Sequence, residues 1–207
     1  LKNDGIEIRA IYERNEAALR DKEGLPKEKG FYPLPGLATD LDGHLELVEN
    51  GIRYDVDYIN GQKTGFFLDQ KYNRRAAAAL APGRRVLDCC THTGAFALNC
   101  AQAGAEHVTA VDISPEMIRI AREKFPQENV TVLCGDASQA HFPALFDCIV
   151  IYNAFPHFPE PERLISHLAG LLTPGGTLTV AHGVSRKALD AHHAKTARSV
   201  SNGLLPV

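Results

Sequence analysis

No stretch of this sequence stays apolar for the roughly 18 residues that a membrane-spanning helix needs, and no signal peptide opens it, so the expectation is a soluble, cytoplasmic protein. The chain starts at Leu1 rather than Met, which suggests a piece or a processed form of something longer. Its five cysteines lack the even count and regular spacing of a secreted disulfide framework, which argues for a reducing compartment. There is no basic half either: residues 1–80 carry 12 basic and 14 acidic side chains, the remainder 10 and 11, and the formal net charge is −3. Adhesion to a phosphate backbone is therefore not written into the bulk charge. Internal repeats are lacking, as is low complexity beyond four alanines at 76–79.

What is there fits one ordinary domain with a small appendage: 207 residues, 44% hydrophobic and 23% charged. Residues 1–40 predict a short strand near Ile6–Tyr12 and a weak helix near Glu13–Lys22. In HLELVENGIRYDVDY, apolar residues alternate on both sides of Asn50-Gly51, a dipeptide suited to a type I′ turn, so a β-hairpin is expected. Asp69 is positioned to cap a helix through QKYNRRAAAALA that stops at Pro82-Gly83. From Arg85 onward, strands and helices alternate. The strands are RRVLDC, HVTAVDI, NVTVLC, FDCIVIY and TLTVAHG. The helices cover Gly94–Ala103, SPEMIRIAREKF with Ser114 as cap and Pro115 first, PERLISHLAGLL closed by Pro174-Gly175-Gly176, and finally SRKALDAHHAKTARSV. Such units imply a parallel sheet covered on both faces, spanning 69–207, with residues 1–68 as an appendage carrying the hairpin.

Ligands of open parallel sheets sit outside the carboxyl ends of the strands. Asp88 closes the first strand there, and Gly94 opens the following helix, where a missing side chain lets a ligand approach the backbone. Asp112 closes the second strand, 24 residues after Asp88, where a carboxylate can accept both hydroxyls of a ribose. Gly135-Asp136-Ala137 closes the third, with an acidic group suited to an adenine amino group. The first loop lacks the full GxGxxG of a pyrophosphate cradle. A nucleoside without phosphates fits better, and S-adenosylmethionine is such a ligand.

Three stretches, RAIYERNEAALRDKEGLP, NGQKTGFFLDQKYNRR and RRVLDCCTHTGAFALNCAQAGAEHVTAVDIS, carry a family resemblance. Residues from about 9 to 113 resemble the 23S ribosomal RNA cytosine-C5 methyltransferases, a group of class I S-adenosylmethionine enzymes. The resemblance implies a Rossmann-like class I methyltransferase fold, α/β, with parallel strand order 3-2-1-4-5. It also implies that Phe67, Gln70 and Arg74 hold the methionine end of the cofactor. Asp88, Thr93 and Gly94 would form the loop beneath it, Asp112 would hold the ribose and Asp136 the adenine, with Ile113, Ala137 and Asn153 completing the cofactor site.

The resemblance stops short of the acceptor side. Where that family carries Asp-Pro-Pro-x-Phe after the fourth strand, this chain reads IYNAFPHFPEP, and TLTVAHGVS lacks the family's nucleophilic cysteine. From about Ser114 to the end, DISPEMIRIAREKF and FPHFPEPERLISHLAGLLTPGGTLTVAHG look instead like small-molecule class I methyltransferases, so the chain resembles a splice of two relatives. The family's amino-terminal RNA-binding domain and the fold's last strand pair are not accounted for, and either a second copy or the Asn50-Gly51 hairpin is expected to cover the edge of the fifth strand. The acceptor is expected to be a ribosomal RNA base; a small-molecule acceptor, or a cofactor-binding module without turnover, is the alternative.

Adjacent residues at a strand end point to opposite faces, so Cys89-Cys90-Thr91-His92 is not a tetrahedral metal site. Cys89 is expected in the sheet, with Cys90 and His92 along the cofactor loop. Cys100 and Cys134 read as core, and Cys148 as buried and inert. His92, His157 and His182 follow three neighbouring strands. One of them, His157, could act as a general base, or all three are ordinary loop residues. Phe155 and Phe158 could stack an acceptor ring or pack under the next helix. His192-His193 reads as a solvated helix face.

Overall fold

The computed structural model describes residues 4–16, 19–61, 64–124 and 127–183. The chain divides into two compact units, Leu1–Leu68 and Asp69–Val207.

In the first unit, β1 (Tyr12–Arg14) pairs antiparallel with β2 (Lys29–Phe31), and β3 (His44–Glu49) with β4 (Ile52–Asp57). The early strand therefore lies later than Ile6–Tyr12. The helix expected over Glu13–Lys22 shrinks to α1 (Leu19–Lys22), because the ladder takes Glu13 and Arg14 opposite Gly30 and Lys29. Local helix propensity yields to a ladder bond and to Tyr12 packing edge-on against Phe31 at 5.0 Å. The β3–β4 hairpin forms as expected: Glu49 faces Ile52 across a two-residue turn, with φ of 52° at Asn50 and 81° at Gly51. Gly65 explains part of the Thr-Gly-Phe-Phe run, since a Cβ there would stand 2.3 Å from the Asp57 carbonyl oxygen.

The second unit is a five-stranded parallel sheet of β5 (Arg85–Cys89), β6 (His107–Asp112), β7 (Val130–Cys134), β8 (Phe146–Tyr152) and β9 (Leu172–Ala181), ordered β7-β6-β5-β8-β9. In strand-number terms this is the expected 3-2-1-4-5. Its central strands β5, β6 and β8 are buried on both faces, which is why they read as apolar runs, whereas the edge strands β7 and β9 are only half-buried. On β8, Cys148 and Val150 join one core layer with Val86, Ala97 and Val108, whereas Ile149 and Ile151 join the other with Leu87, Cys89, Leu164 and Leu168. The helices are α2 (Lys71–Ala79), α3 (Ala95–Gln102), α4 (Pro115–Lys124) and α5 (Pro161–Ala169). Ser114 caps α4 as expected, accepting the Met117 N–H at 3.4 Å.

Several expectations change. Asp69 does not cap α2: it lies in a 3-10 turn, Leu68–Gln70, and accepts a bond from the Gln70 amide, while Gln70 takes the cap position without a side-chain bond to a helix N–H. Helix α5 ends at Ala169, before Pro174-Gly175-Gly176, which lies inside β9. The ladder steps from Phe146↔Leu172 to Cys148↔Thr177, so these residues form an irregularity opposite Asp147. The Asp147 carboxylate accepts there from the Arg85 N–H at 2.9 Å and the Thr173 hydroxyl at 2.7 Å. Cys134 is exposed rather than core, because it ends the edge strand β7. The helix expected over SRKALDAHHAKTARSV, with His192-His193, lies outside the described residues. Among the described residues, no helix is long and apolar enough to cross a membrane.

Candidate functional site

The site is organised by three aspartates at successive strand ends. Asp88, 3% exposed, does not face solvent. Its Oδ2 accepts the Thr91 hydroxyl at 2.6 Å and the Ala97 N–H at 3.1 Å. Ala97 is the third residue of α3, and the cap residue Gly94 (φ 86°) has no side chain to satisfy that N–H. Asp88 therefore serves as the helix cap from a neighbouring strand. Burial pushes its carboxyl up to about 7, against the lowering effect of the Thr91 and Ala97 bonds.

Asp112 ties the loops together. Its Oδ2 accepts the His92 N–H at 2.8 Å and its Oδ1 the Ser114 N–H at 2.9 Å, leaving lone pairs on both oxygens for a ligand. Thr91 N–H donates to the Val111 carbonyl and Gly135 N–H to the Asp112 carbonyl, each at 2.9 Å, so the ends of β5, β6 and β7 are fixed to one another. At Asp136 burial raises the pKa, but the Ser138 hydroxyl and N–H and the Gln139 amide outweigh it and hold the carboxylate below its usual range.

A cleft of about 260 Å³ opens over these ends. Asp112, Ile113, Gly135, Asp136 and Ala137 line one side, and Ala154, His157, Phe158 and Pro159 the other, with Cys90 and Val111 between. Ile113 stands 72% exposed at its rim. The combination is two carboxylates set among apolar walls, a pattern suited to a polar heterocycle carrying hydroxyls. Burial, Asp112 and Asp88 push the Cys90 thiol up to about 12, so it is a wall and not a nucleophile. Burial lowers His92, outweighing Asp112, which favours the neutral ring.

The structure thus brings Asp112, Ile113, Asp136, Ala137 and His157 to one cleft, with Asp88 buried beneath and Thr93 and Gly94 in the loop between. His92 and His182 are not among the residues lining it, so the three histidines do not share this wall. Phe155, 3% exposed, packs in the core, and only Phe158 reaches the cleft. Asn153 turns away from it: in a left-handed conformation (φ 52°), its Oδ1 accepts the Gly183 N–H at 2.9 Å. Gln70 and Arg74 are both buried, and the Gln70 and Asn153 amides both lie beside Gly183. Asn73 Nδ2 there donates to Gln70 Oε1 at 2.8 Å and to the Tyr152 hydroxyl at 3.0 Å. Phe67 is half-buried in the first unit. Thr91, Tyr152 and Asn73 were missed in the sequence; the Asp88-x-x-Thr91 spacing was the available signal for the first, and none marked the pair. Among the described residues no three His, Cys, Asp or Glu side chains cluster as a metal site requires.

A family described as "Methyltransferase domain" matches residues 86–176, crossing from β5 into β9. The Ribosomal RNA large subunit methyltransferase I of Photobacterium profundum is 41% identical over 88% of this chain. The second unit is a class I S-adenosylmethionine-dependent methyltransferase domain. The chain spans 53% of that relative's length. Trm5b from Pyrococcus abyssi is similar in fold, with a TM-score of 0.60 at 21% identity, covering 83% of this chain and 48% of that one. An S-adenosylmethionine-dependent methyltransferase from Mesorhizobium loti gives 0.50 at 26% identity, covering 54% and 52%.

Proposed function

We propose that this chain binds S-adenosylmethionine in the β5–β8 cleft and transfers its methyl group to a base of ribosomal RNA. The observation that carries the donor half is the pairing of Asp112 and Asp136 on one apolar cleft. In this reading the free lone pairs of Asp112 accept the ribose hydroxyls, Asp136 accepts the adenine amino group, and Ile113, Ala137 and Phe158 flank the ring. Thr93 and Gly94 form the loop under the cofactor, and Gln70, Arg74 and Asn153 serve its methionine end. The volume, just under the roughly 300–1,000 Å³ usual for small-molecule sites, suits the nucleoside portion. A bound cofactor supplies an electrophilic methyl on a sulfonium, so the chain's own task is alignment and exclusion of water.

The acceptor half rests on the 41% identical relative and its ribosomal RNA name. Methylation of a pyrimidine carbon calls for a thiolate to add to the ring first. Burial raises Cys89, Cys90, Cys100 and Cys148, with Cys90 and Cys100 at about 12, and Cys134 lies on the edge strand β7. With those four thiols held protonated, an acceptor atom that is already nucleophilic, a ring nitrogen or an amine of the base, suits the cleft better, with His157 as the base beside it. A small-molecule acceptor is the second reading, favoured by the Asn-Ala-Phe-Pro-His-Phe turn after β8.

Methyl-labelled cofactor offered with unmodified ribosomal RNA and, separately, a small-molecule extract tests both. Label recovered in an RNA nucleoside supports the proposal; label confined to the extract supports the second reading. Cofactor binding with label in neither indicates a module without turnover. A stable adduct with fluorinated cytosine RNA contradicts the assignment of an intrinsically nucleophilic acceptor.

A further inference from the structure

Between Gln70 and Arg85 the chain carries five basic residues and no acidic one, although its formal net charge is −3. Arg84 and Arg85 fall at the amino end of β5; the other three, Lys71, Arg74 and Arg75, open α2. Arg74 faces inward and is 2% exposed. Lys71, Tyr72 and Arg75 face outward, Tyr72 with 75% of its surface open. Spacings of three and four residues put Tyr72 and Lys71 on the same side as Arg75, and the exposed Ala76 and Ala79 extend that side as a flat strip.

The open ring of Tyr72 is the feature that folding does not explain. Cations in the first turn run against the helix macrodipole, with Asp69 the acidic residue in the 3-10 turn just before them. An open tyrosine ring adds little to a core. Asn73, on the same turn, reaches the Tyr152 hydroxyl at 3.0 Å, which fixes this part of α2 at the carboxyl end of the sheet, the end where the cleft opens.

We infer that Lys71, Tyr72 and Arg75 form a docking face for single-stranded RNA, Tyr72 stacking on an unpaired base while Lys71 and Arg75 contact the phosphates on either side. An exposed aromatic ring between cations is the arrangement that grips single strands, whose bases present open π-faces; a duplex hides them. The small side chains of Ala76 and Ala79 let a sugar-phosphate backbone approach the helix closely. The inference deepens the RNA reading above and rests on it.

The test is fluorescence anisotropy with a short labelled single-stranded RNA and its duplex, alongside calorimetry with S-adenosylmethionine. Tyr72→Ala is expected to weaken single-strand binding roughly ten- to a hundredfold, and Tyr72→Phe to restore it. Lys71→Gln and Arg75→Gln should each lower the salt dependence by about one ion, whereas Arg119→Gln, on α4, leaves it unchanged. Equal affinity for duplex and single strand, no RNA binding by the parent, or full binding by Tyr72→Ala overturns the inference. Cofactor binding without RNA binding overturns it while sparing the donor site; RNA binding at this face without cofactor binding overturns the donor site alone.

Discussion

The amide of Asn73 donates to the hydroxyl of Tyr152 at 3.0 Å, joining α2 to the end of β8 across 79 positions of sequence. The same tyrosine ring stacks on Phe96 at 5.1 Å, in the first turn of α3. One residue thus ties both α2 and α3 to the end of β8. Tyr152→Phe keeps the stack and loses the bond, and is expected to cost about 0.5–1.5 kcal/mol in chemical denaturation. Asn73→Ala combined with it should cost less than the two separate losses added together, as for one shared bond. Strict additivity would show that the contact contributes nothing.

Asp112 offers both oxygens to the cleft while accepting one backbone N–H on each. Asp112→Ala is expected to weaken S-adenosylmethionine binding by about 1.5–3 kcal/mol, and Asp112→Asn by less, since an amide retains one acceptor. Calorimetry on both variants measures this. An unchanged affinity in the alanine variant would remove Asp112 from the site.

Burial raises Asp88 from 3.8 to about 7 in the folded chain. Between these values the folded state holds a proton that the unfolded state has released, so stability is lost as pH rises through the window. Asp88→Asn keeps an acceptor for Thr91 and Ala97 but cannot ionise. Relative to it, the parent should lose up to about 1.4 kcal/mol per pH unit from about pH 4 to 7, and level off above. Parallel stability curves for the two proteins would refute the buried, raised carboxyl.

His157 lines the cleft from the turn after β8 and is exposed to solvent. As a base for the acceptor, its loss in His157→Ala should reduce turnover by roughly 10²–10⁴ with cofactor affinity unchanged. Single-turnover rates and cofactor titration separate the two effects. Equal rates would make His157 an ordinary rim residue.

The parallel sheet, the Asn50-Gly51 hairpin and the placement of Asp112 and Asp136 at strand ends were determined by the sequence itself. Strands buried on both faces must be apolar throughout, a two-residue turn needs residues that tolerate positive φ, and a ligand carboxylate must sit where the apolar run stops. These are local requirements, so they leave local marks. Tertiary structure alone decided that Asp88 caps α3, that Asn153 turns toward Gly183, that Glu13 and Arg14 form a ladder rather than a helix, and that β9 runs on through Pro174-Gly175-Gly176. Each of these depends on which distant backbone group lies within hydrogen-bonding reach once the sheet has closed. The same residues also satisfy a different local reading, so nothing in their spacing distinguishes the two before the partner arrives.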